Sequence, residues 1–322
     1  MKAIESKKYG SSEVFQLNET AKPSPKPNEV LIKVHASTVT AADIMMRTGK
    51  PLIGRLYTGI REPKRKIIGF EFAGVVVEVG NEVKQFKTAD RVFGGTTTLG
   101  CYAEYVCVNS ADVFTIIPEN ISYEEAAPIS GSAITSWNFL VGKANIKKNH
   151  RVLINGASGG VGTYAIQIAK YFGAEVTGVC STGNIEMVKS LGADHVIDYT
   201  KDDFTMSGEQ YDIIFDTVAN KSFLKCKNAL TQNGIYLSTV VNIPLIIQMI
   251  WTSFFKGKKA KSSATGLLPA KQRLHYLLEI KELMKSGKIK SVINHSYPLS
   301  RMADAHEYVE KGHKKGNVII TV

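Results

Sequence analysis

The sequence reads as an α/β protein of two domains, a β-rich part followed by a doubly wound parallel sheet. Three observations predict this. The chain has 322 residues, whereas a single hydrophobic core stops growing at about 250 to 300. Its first third is made of short β-branched runs broken by Gly, Pro and Asn, the pattern of strands and turns. Its second third alternates strand-like and helix-like segments, which implies parallel strands covered on both faces by helices.

Taken in order, Val30 to Ala36 and Phe72 to Val79 are the clearest early strands, and Gly69, Gly74 and Gly80 mark bends around the second. Ser122, three residues before Glu125, is the N-cap of a helix that opens a helix-rich stretch. The expected division is therefore 1–124 and 125–264, with 265–322 completing the first domain. Arg151 to Ile154 is a strand, followed by a Gly-rich turn and a helix with apolar Ala165, Ile166, Ile168, Ala169 and Phe172. A strand at Glu175 to Val179 completes a βαβ unit. The alternation continues with a helix at Ile185 to Leu191, strands at His195 to Ile197 and Tyr211 to Phe215, a helix at Phe223 to Leu230 and a strand at Gly234 to Leu237. A helix from Lys271 to Ser286 and a strand from Asn317 to Val322 follow.

The composition, 44% hydrophobic and 21% charged, excludes collagen-like and disordered classes. The net charge of +11 is scattered except at Lys256, Lys258, Lys259 and Lys261. No zinc-finger or aromatic-rich RNA-binding pattern accompanies that cluster, so nucleic acid is not the expected partner. Cys101, Cys107, Cys180 and Cys226 lack the close pairing of a structural zinc site and read as reduced structural thiols. Polar Glu5, Ser6, Lys7 and Lys8 interrupt any signal-peptide apolar core, and a cytoplasmic location is the default expectation. Ile243 to Phe255 is the longest apolar stretch at thirteen residues, short of the roughly 20 that span a bilayer. It is read as a helix packed at a domain or subunit surface in preference to one lying on an anionic membrane.

The informative segment is Asn155 to Gly162, because it joins a buried strand to an amphipathic helix. Ala157, Ser158, Gly159, Gly160, Val161 and Gly162 form a pyrophosphate-binding turn: Gly159 admits close approach of the backbone, Gly162 lets helix and strand meet, and the helix N-terminus offers free amides. Ala157 replaces the first glycine of the usual G-x-G-x-x-G, with Gly156 beside it. Strands of this Rossmann type that prefer NAD end in an acid for the ribose hydroxyls, but here the second strand runs into Cys180-Ser181-Thr182-Gly183-Asn184. Ser181 and Asn184 can instead donate to a 2'-phosphate, which favours NADPH, with Lys221 as the candidate cation. Val218 is counted with the cofactor-lining residues.

Gly69 to Gly80, Ala89-Asp90-Arg91-Val92-Phe93-Gly94, Ala103-Glu104-Tyr105, Glu125-Ala126-Ala127-Pro128, Ala157 to Gly162, Leu191 to Tyr199 and Gly312 to Val318 are strings that together span nearly the whole chain. On them the sequence resembles the zinc-free quinone oxidoreductase branch of the medium-chain dehydrogenase/reductase family. The resemblance implies a GroES-like first domain, a Rossmann second domain, a nicotinamide-floored cleft and a homodimer joined through Rossmann edge strands. Zinc-dependent members carry a histidine between the glycine and glutamate of the first string and a cysteine in the Val39 to Asp43 region. Here Phe70 and Val39, Thr40 and Ala41 stand there, so neither a catalytic nor a structural zinc set exists. His35, His195 and His306 fall singly and are read as structural.

The resemblance also places Thr40, Asp43 and Thr135 near the nicotinamide, with Asp43 a candidate catalytic residue, and Tyr199 beside the adenosine phosphate, and Asn317 stands where relatives often have lysine. Without zinc to polarise an alcohol, the expected chemistry is hydride delivery from NADPH to a small electrophilic acceptor, a quinone or an α,β-unsaturated carbonyl. Tyr57 is the candidate proton donor. The alternatives are a non-catalytic NADPH-binding protein held at a membrane surface, and an alcohol or aldehyde reductase of the same fold.

Overall fold

The computed structural model describes residues 1–312 and 314–322, and all of their side chains except those of Ile53 and Tyr57. The chain divides into two compact units: residues 1–131, 269–285 and 291–322 form the first, and 132–268 with 286–290 the second. The boundaries at 131/132 and 268/269 lie seven and four residues beyond the expected 124/125 and 264/265, and residues 286–290, expected in the first domain, return to the second. Residues 125–131 stay with the first unit because Ser130 bonds to Glu71 and Ser291 Oγ donates to the Glu125 carbonyl.

In the first unit, β1 (Lys2–Ser6) and β2 (Phe15–Glu19) form a small antiparallel pair. They are followed by β3 (Glu29–Thr38), α1 (Ala41–Thr48), α2 (Arg55–Thr58), β4 (Glu71–Val79), β5 (Arg91–Gly95), β6 (Tyr105–Asn109), β7 (Val113–Ile116) and α3 (Tyr123–Ala126). The second unit holds α4 (Ser132–Trp137), β8 (Arg151–Asn155), α5 (Gly160–Tyr171), β9 (Glu175–Cys180), α6 (Ile185–Ser190), β10 (His195–Asp198), β11 (Tyr211–Asp216), α7 (Phe223–Cys226), β12 (Leu230–Ser238), α8 (Ile243–Phe254) and β13 (Lys259–Ser262). The chain then returns to the first unit as α9 (Ala270–Lys285), β14 (Ile293–Pro298), α10 (Met302–Glu310) and β15 (Asn317–Thr321).

The first unit is built on a sheet of order β14-β15-β3-β4-β5-β7, with β6 also pairing β3. Its two faces are covered by separate apolar clusters, one around Val30, Phe72 and Val92 and the other around Tyr102, Met302 and Ile320. The expected cap of α3 is present as a reciprocal box in which Ser122 and Glu125 each bond the other's backbone amide. A Cβ on Gly74 would lie 2.1 Å from the Lys33 carbonyl oxygen, so only glycine lets β4 close against β3 there.

The second unit is a parallel sheet of order β10-β9-β8-β11-β12-β13, the doubly wound order in which ligands bind where the strand sequence reverses, between β8 and β11. Its strands bury Val152, Leu153, Ile154, Ile213, Ile214 and Phe215, apolar on both sides as parallel strands must be. One predicted element is shorter than expected. The helix at Phe223 to Leu230 ends at Cys226, passes through a 3-10 turn to Ala229, and Leu230 starts β12. Leu230 is fully buried in the core beneath the sheet, and that burial overrides its helix propensity.

Candidate functional site

At the reversal point of the second unit, the β8-to-α5 turn has the geometry of an anion cradle. Gly156 adopts φ +81°, and a Cβ there would meet Thr217 Oγ1 and Val218 Cγ2 at 2.5 Å. A Cβ on Gly162 would lie 2.1 Å from the Gly156 carbonyl oxygen, so helix and strand meet only through glycine. Gly159, the N-cap of α5, has no neighbour closer than 3.5 Å to its missing side chain, which leaves room for a ligand to approach. The first amides of α5, on Gly160, Val161 and Gly162, have no intrahelical acceptors and present the positive end of the helix. Ala157 is fully buried, and its amide donates to the Val179 carbonyl, tying the turn to β9.

Around this turn the fold gathers the other predicted cofactor residues of the unit. The buried Asn184 donates to Ser158 Oγ at 3.2 Å and to Ser181 Oγ at 3.1 Å, while its Oδ1 has no partner. Tyr199, 54% exposed, follows β10, with its amide on the Cys180 carbonyl, and Val218 is exposed beside Gly156. Ser136 Oγ donates to the Val161 carbonyl at 2.7 Å, fixing α4 and its half-buried Thr135 against the start of α5.

Two residues that sequence reasoning missed hold this edge together. Asn155 Nδ2 donates to Asp216 Oδ1 at 2.9 Å, joining the ends of β8 and β11. Asp216, fully buried, also accepts from the amides of Val218, Ala219 and Lys221 and from the Tyr236 hydroxyl. A polar residue ending each of two apolar strands was the available signal. Lys221, the expected phosphate cation, is engaged elsewhere: its ammonium bonds Asp203 at 2.7 Å, which holds that carboxyl down at about 2. Asp198 is brought next to β9, where Thr182 Oγ1, Thr200 Oγ1 and the Thr200 amide donate to it and lower its pKa.

The first unit contains a buried cluster of carboxylates. Thr40 caps α1 in a box with Asp43, whose Oδ2 accepts from the Thr40 amide at 2.8 Å and its hydroxyl at 2.6 Å. Asp43 is fully buried, and its Oδ1 has no partner. Burial pushes its carboxyl up to about 6 against the pull of the Thr40 hydrogen bonds. Glu71, on β4, accepts from Thr38 Oγ1 and, at 3.1 Å, from Ser130 Oγ. A Cβ on Gly131 would lie 2.5 Å from Glu71 Oε1, so glycine lets the backbone close over the carboxylate. Burial, with Asp43 nearby, pushes Glu71 up to about 7 despite those donors.

The Tyr102 hydroxyl lies 3.0 Å from the Thr38 carbonyl and 3.2 Å from His306 Nε2. Desolvation lowers the pKa of Lys314, and the negative charges of Glu71 and Asp43 oppose that shift. Asn317, at the start of β15, is buried with its amide on the Val292 carbonyl. Tyr57, the predicted proton donor, has its side chain outside the described residues. Glu71 lies within the Gly69 to Gly80 string, and a carboxylate flanked by Phe70, Phe72 and Ala73 is the sequence signal for a buried acid there.

Two family models match the chain, an alcohol dehydrogenase GroES-like domain over residues 26–119 and a zinc-binding dehydrogenase domain over 191–320. The chain is 35% identical to the mitochondrial NAD(P)H oxidoreductase RTN4IP1 of Mus musculus, covering 98% of this chain and 87% of that protein. The chain belongs to the medium-chain dehydrogenase/reductase family. Within that family its relatives lie in the quinone oxidoreductase branch. The 2-methylene-furan-3-one reductase of Solanum lycopersicum is 33% identical over 99% of this chain and 79% of its own length. The solved structure of the Escherichia coli quinone oxidoreductase complexed with NADPH superposes with a TM-score of 0.85 at 27% identity, covering all of both chains.

Although one matching model is described as zinc-binding, the zinc places of a medium-chain dehydrogenase/reductase are filled here by groups that do not fit the metal. Phe70 packs into the apolar cluster around Tyr102, and Thr40 is occupied as the cap of α1. Among the described residues, no group of three or more His, Cys, Asp or Glu is placed to hold a metal ion. The lone histidines have other partners. His35 stacks on Tyr123, exposed His195 pairs with Glu175, and His306 is buried against Tyr102 and Phe15.

Proposed function

We propose that this oxidoreductase reduces a quinone or an α,β-unsaturated carbonyl with NADPH and without a metal. The observation that carries the reading is the combination, in one chain, of a dinucleotide turn with Phe70 and Thr40 at the zinc positions. Bound NADPH supplies the hydride. The residues of the chain bind and orient. The free amides of α5 and the open face at Gly159 accept the pyrophosphate. Ser158, Ser181 and Asn184 form a polar patch at the end of β9 for the 2'-phosphate. Turning over the Asn184 amide lets the two hydroxyls donate to Oδ1 and frees its NH₂ group for a phosphate oxygen. Tyr199, held at the end of β9 by its amide on the Cys180 carbonyl, offers its ring beside that patch, and Val218 offers an apolar surface beside Gly156 in the turn.

In the first unit, Asp43 is too buried to meet an acceptor and acts as a positioning residue that fixes Thr40. The test follows nicotinamide absorbance with NADPH and NADH against a quinone, an enone and an aldehyde, and in reverse with an alcohol and NADP, before and after treatment with a chelator. Turnover of the quinone or enone, faster with NADPH and unchanged by the chelator, is the expected result. Turnover restricted to the alcohol, or lost with the chelator, overturns the reading.

A further inference from the structure

The apolar segment that follows β12 is only half covered. On α8, Leu245, Met249 and Thr252 face the core of the second unit. The opposite side carries Ile243, Ile247, Ile250, Trp251 and Phe254 at spacings of one helical face, and these are 57% to 77% exposed. Leu224 and Phe255, also exposed, extend the surface. Contiguous apolar area of this kind on a folded chain marks an interaction site.

Its surroundings point to what it meets. Lys227, Lys256 and Lys258 line the same groove as Ile247, Trp251 and Phe255. From Thr217 to Leu268 the sequence has seven lysines and no aspartate or glutamate. The rim is therefore uniformly cationic. Lys259 donates to the carbonyls of Thr252 and Phe255 and closes the C-terminus of α8, and Lys258 donates to the Lys227 carbonyl at 2.6 Å, so helix and rim are held in place. A second copy meeting this face about a two-fold axis would bring the lysines of both rims together, a like-charge contact that disfavours association. An anionic surface satisfies the apolar face and the rim at once.

We infer that this face docks on an anionic lipid bilayer, with α8 lying in the interfacial plane, Trp251 and Phe254 among the acyl chains and Lys227, Lys256 and Lys258 against the headgroups. Among the described residues no helix is long and apolar enough to cross a membrane, so the contact is peripheral. The inference stands on the second unit alone and does not depend on the hydride-transfer reading.

The test is flotation of the full chain with vesicles of phosphatidylcholine, alone or mixed with phosphatidylserine. Trp251 is 64% exposed and Trp137 only 6%, so a blue shift of tryptophan emission on binding reports Trp251. The expected result is flotation and a blue shift with the anionic vesicles only, reversed by high salt. Replacing Lys256 and Lys258 together by Gln weakens binding about 25-fold, at roughly fivefold per lysine, and Trp251→Gln with Phe254→Gln abolishes it with the far-UV spectrum unchanged. Failure to float, or equal binding to both vesicles, overturns the inference. So does a dimer in sedimentation equilibrium that the Trp251 and Phe254 substitutions dissociate and that does not bind vesicles, which would assign the face to a second copy.

Discussion

Replacing Glu71 by Gln should change how stability depends on pH more than it changes stability at any one pH. The folded protein raises this carboxyl from the ordinary 4.5 to about 7, so between those values the native state holds a proton that the unfolded chain has released. Wild-type stability therefore falls as pH rises through this window. A rise of about 2.5 pH units at about 1.4 kcal/mol each makes the full loss ~3 kcal/mol above pH 7. Gln has nothing to ionise. Its different contacts with Thr38 and Ser130 cost about 1 kcal/mol each at every pH, whereas the gain relative to wild type grows from near zero at pH 4.5 to its full value at pH 8. Both tryptophans lie in the second unit, so urea melts should be followed by far-UV circular dichroism, with hydrogen exchange along β4 as the local readout. Parallel stability curves for the two proteins between pH 5 and 8 would refute the reasoning.

Three further outcomes are expected. Gly162→Val forces side-chain atoms onto the Gly156 carbonyl, so dinucleotide binding should vanish in a fluorescence titration, with stability lowered by about 1–3 kcal/mol or more. Asn184→Asp puts a carboxylate between Ser158 and Ser181 and should raise the Kd for NADPH about tenfold or more while changing that for NADH much less; equal effects on both would remove Asn184 from the 2'-phosphate patch. His306, desolvated and beside Arg47, falls from 6.5 to about 3, so the unfolded chain binds its proton first and wild-type stability drops as pH falls from 6.5 toward 3. His306→Phe should flatten that acid limb in melts between pH 4 and 7.

The cofactor turn was legible because Asn155 to Gly162 carries local chemistry in its required context: an apolar strand before it, an amphipathic helix after it, and two glycines, Gly156 and Gly162, that a Cβ would make impossible. The cap at Ser122 was equally local. What escaped depends on tertiary placement. β13 runs Lys259-Ala260-Lys261-Ser262, and its lysines hid a strand that the sheet accepts because both ammonium groups reach carbonyls. The Thr40–Asp43 box announced α1, but Thr40 was read for its place near a cofactor. The carboxylate cluster joins Glu71, Asp43, Tyr102 and Lys314 from four distant segments, which no spacing rule connects. Ile243 to Phe255 was recognised as an apolar helix, yet its open side became visible only once Leu245, Met249 and Thr252 were seen to face the core.

The first unit is assembled from three separate stretches of chain, and this sets the order in which synthesis can complete it. Residues 132–268 of the second unit are contiguous apart from the short return at 286–290, so that sheet has all six of its strands as soon as they leave the ribosome. The first unit must wait. Ala36, Ser37 and Thr38 at the end of β3 find their partners in β15, at residues 319–321, and Thr38 is also the residue that donates to Glu71. Until residue 321 emerges, this nascent sheet keeps an unpaired edge beside the buried Glu71 carboxylate, and the interval is when the chain is most exposed to mispairing and in need of a chaperone.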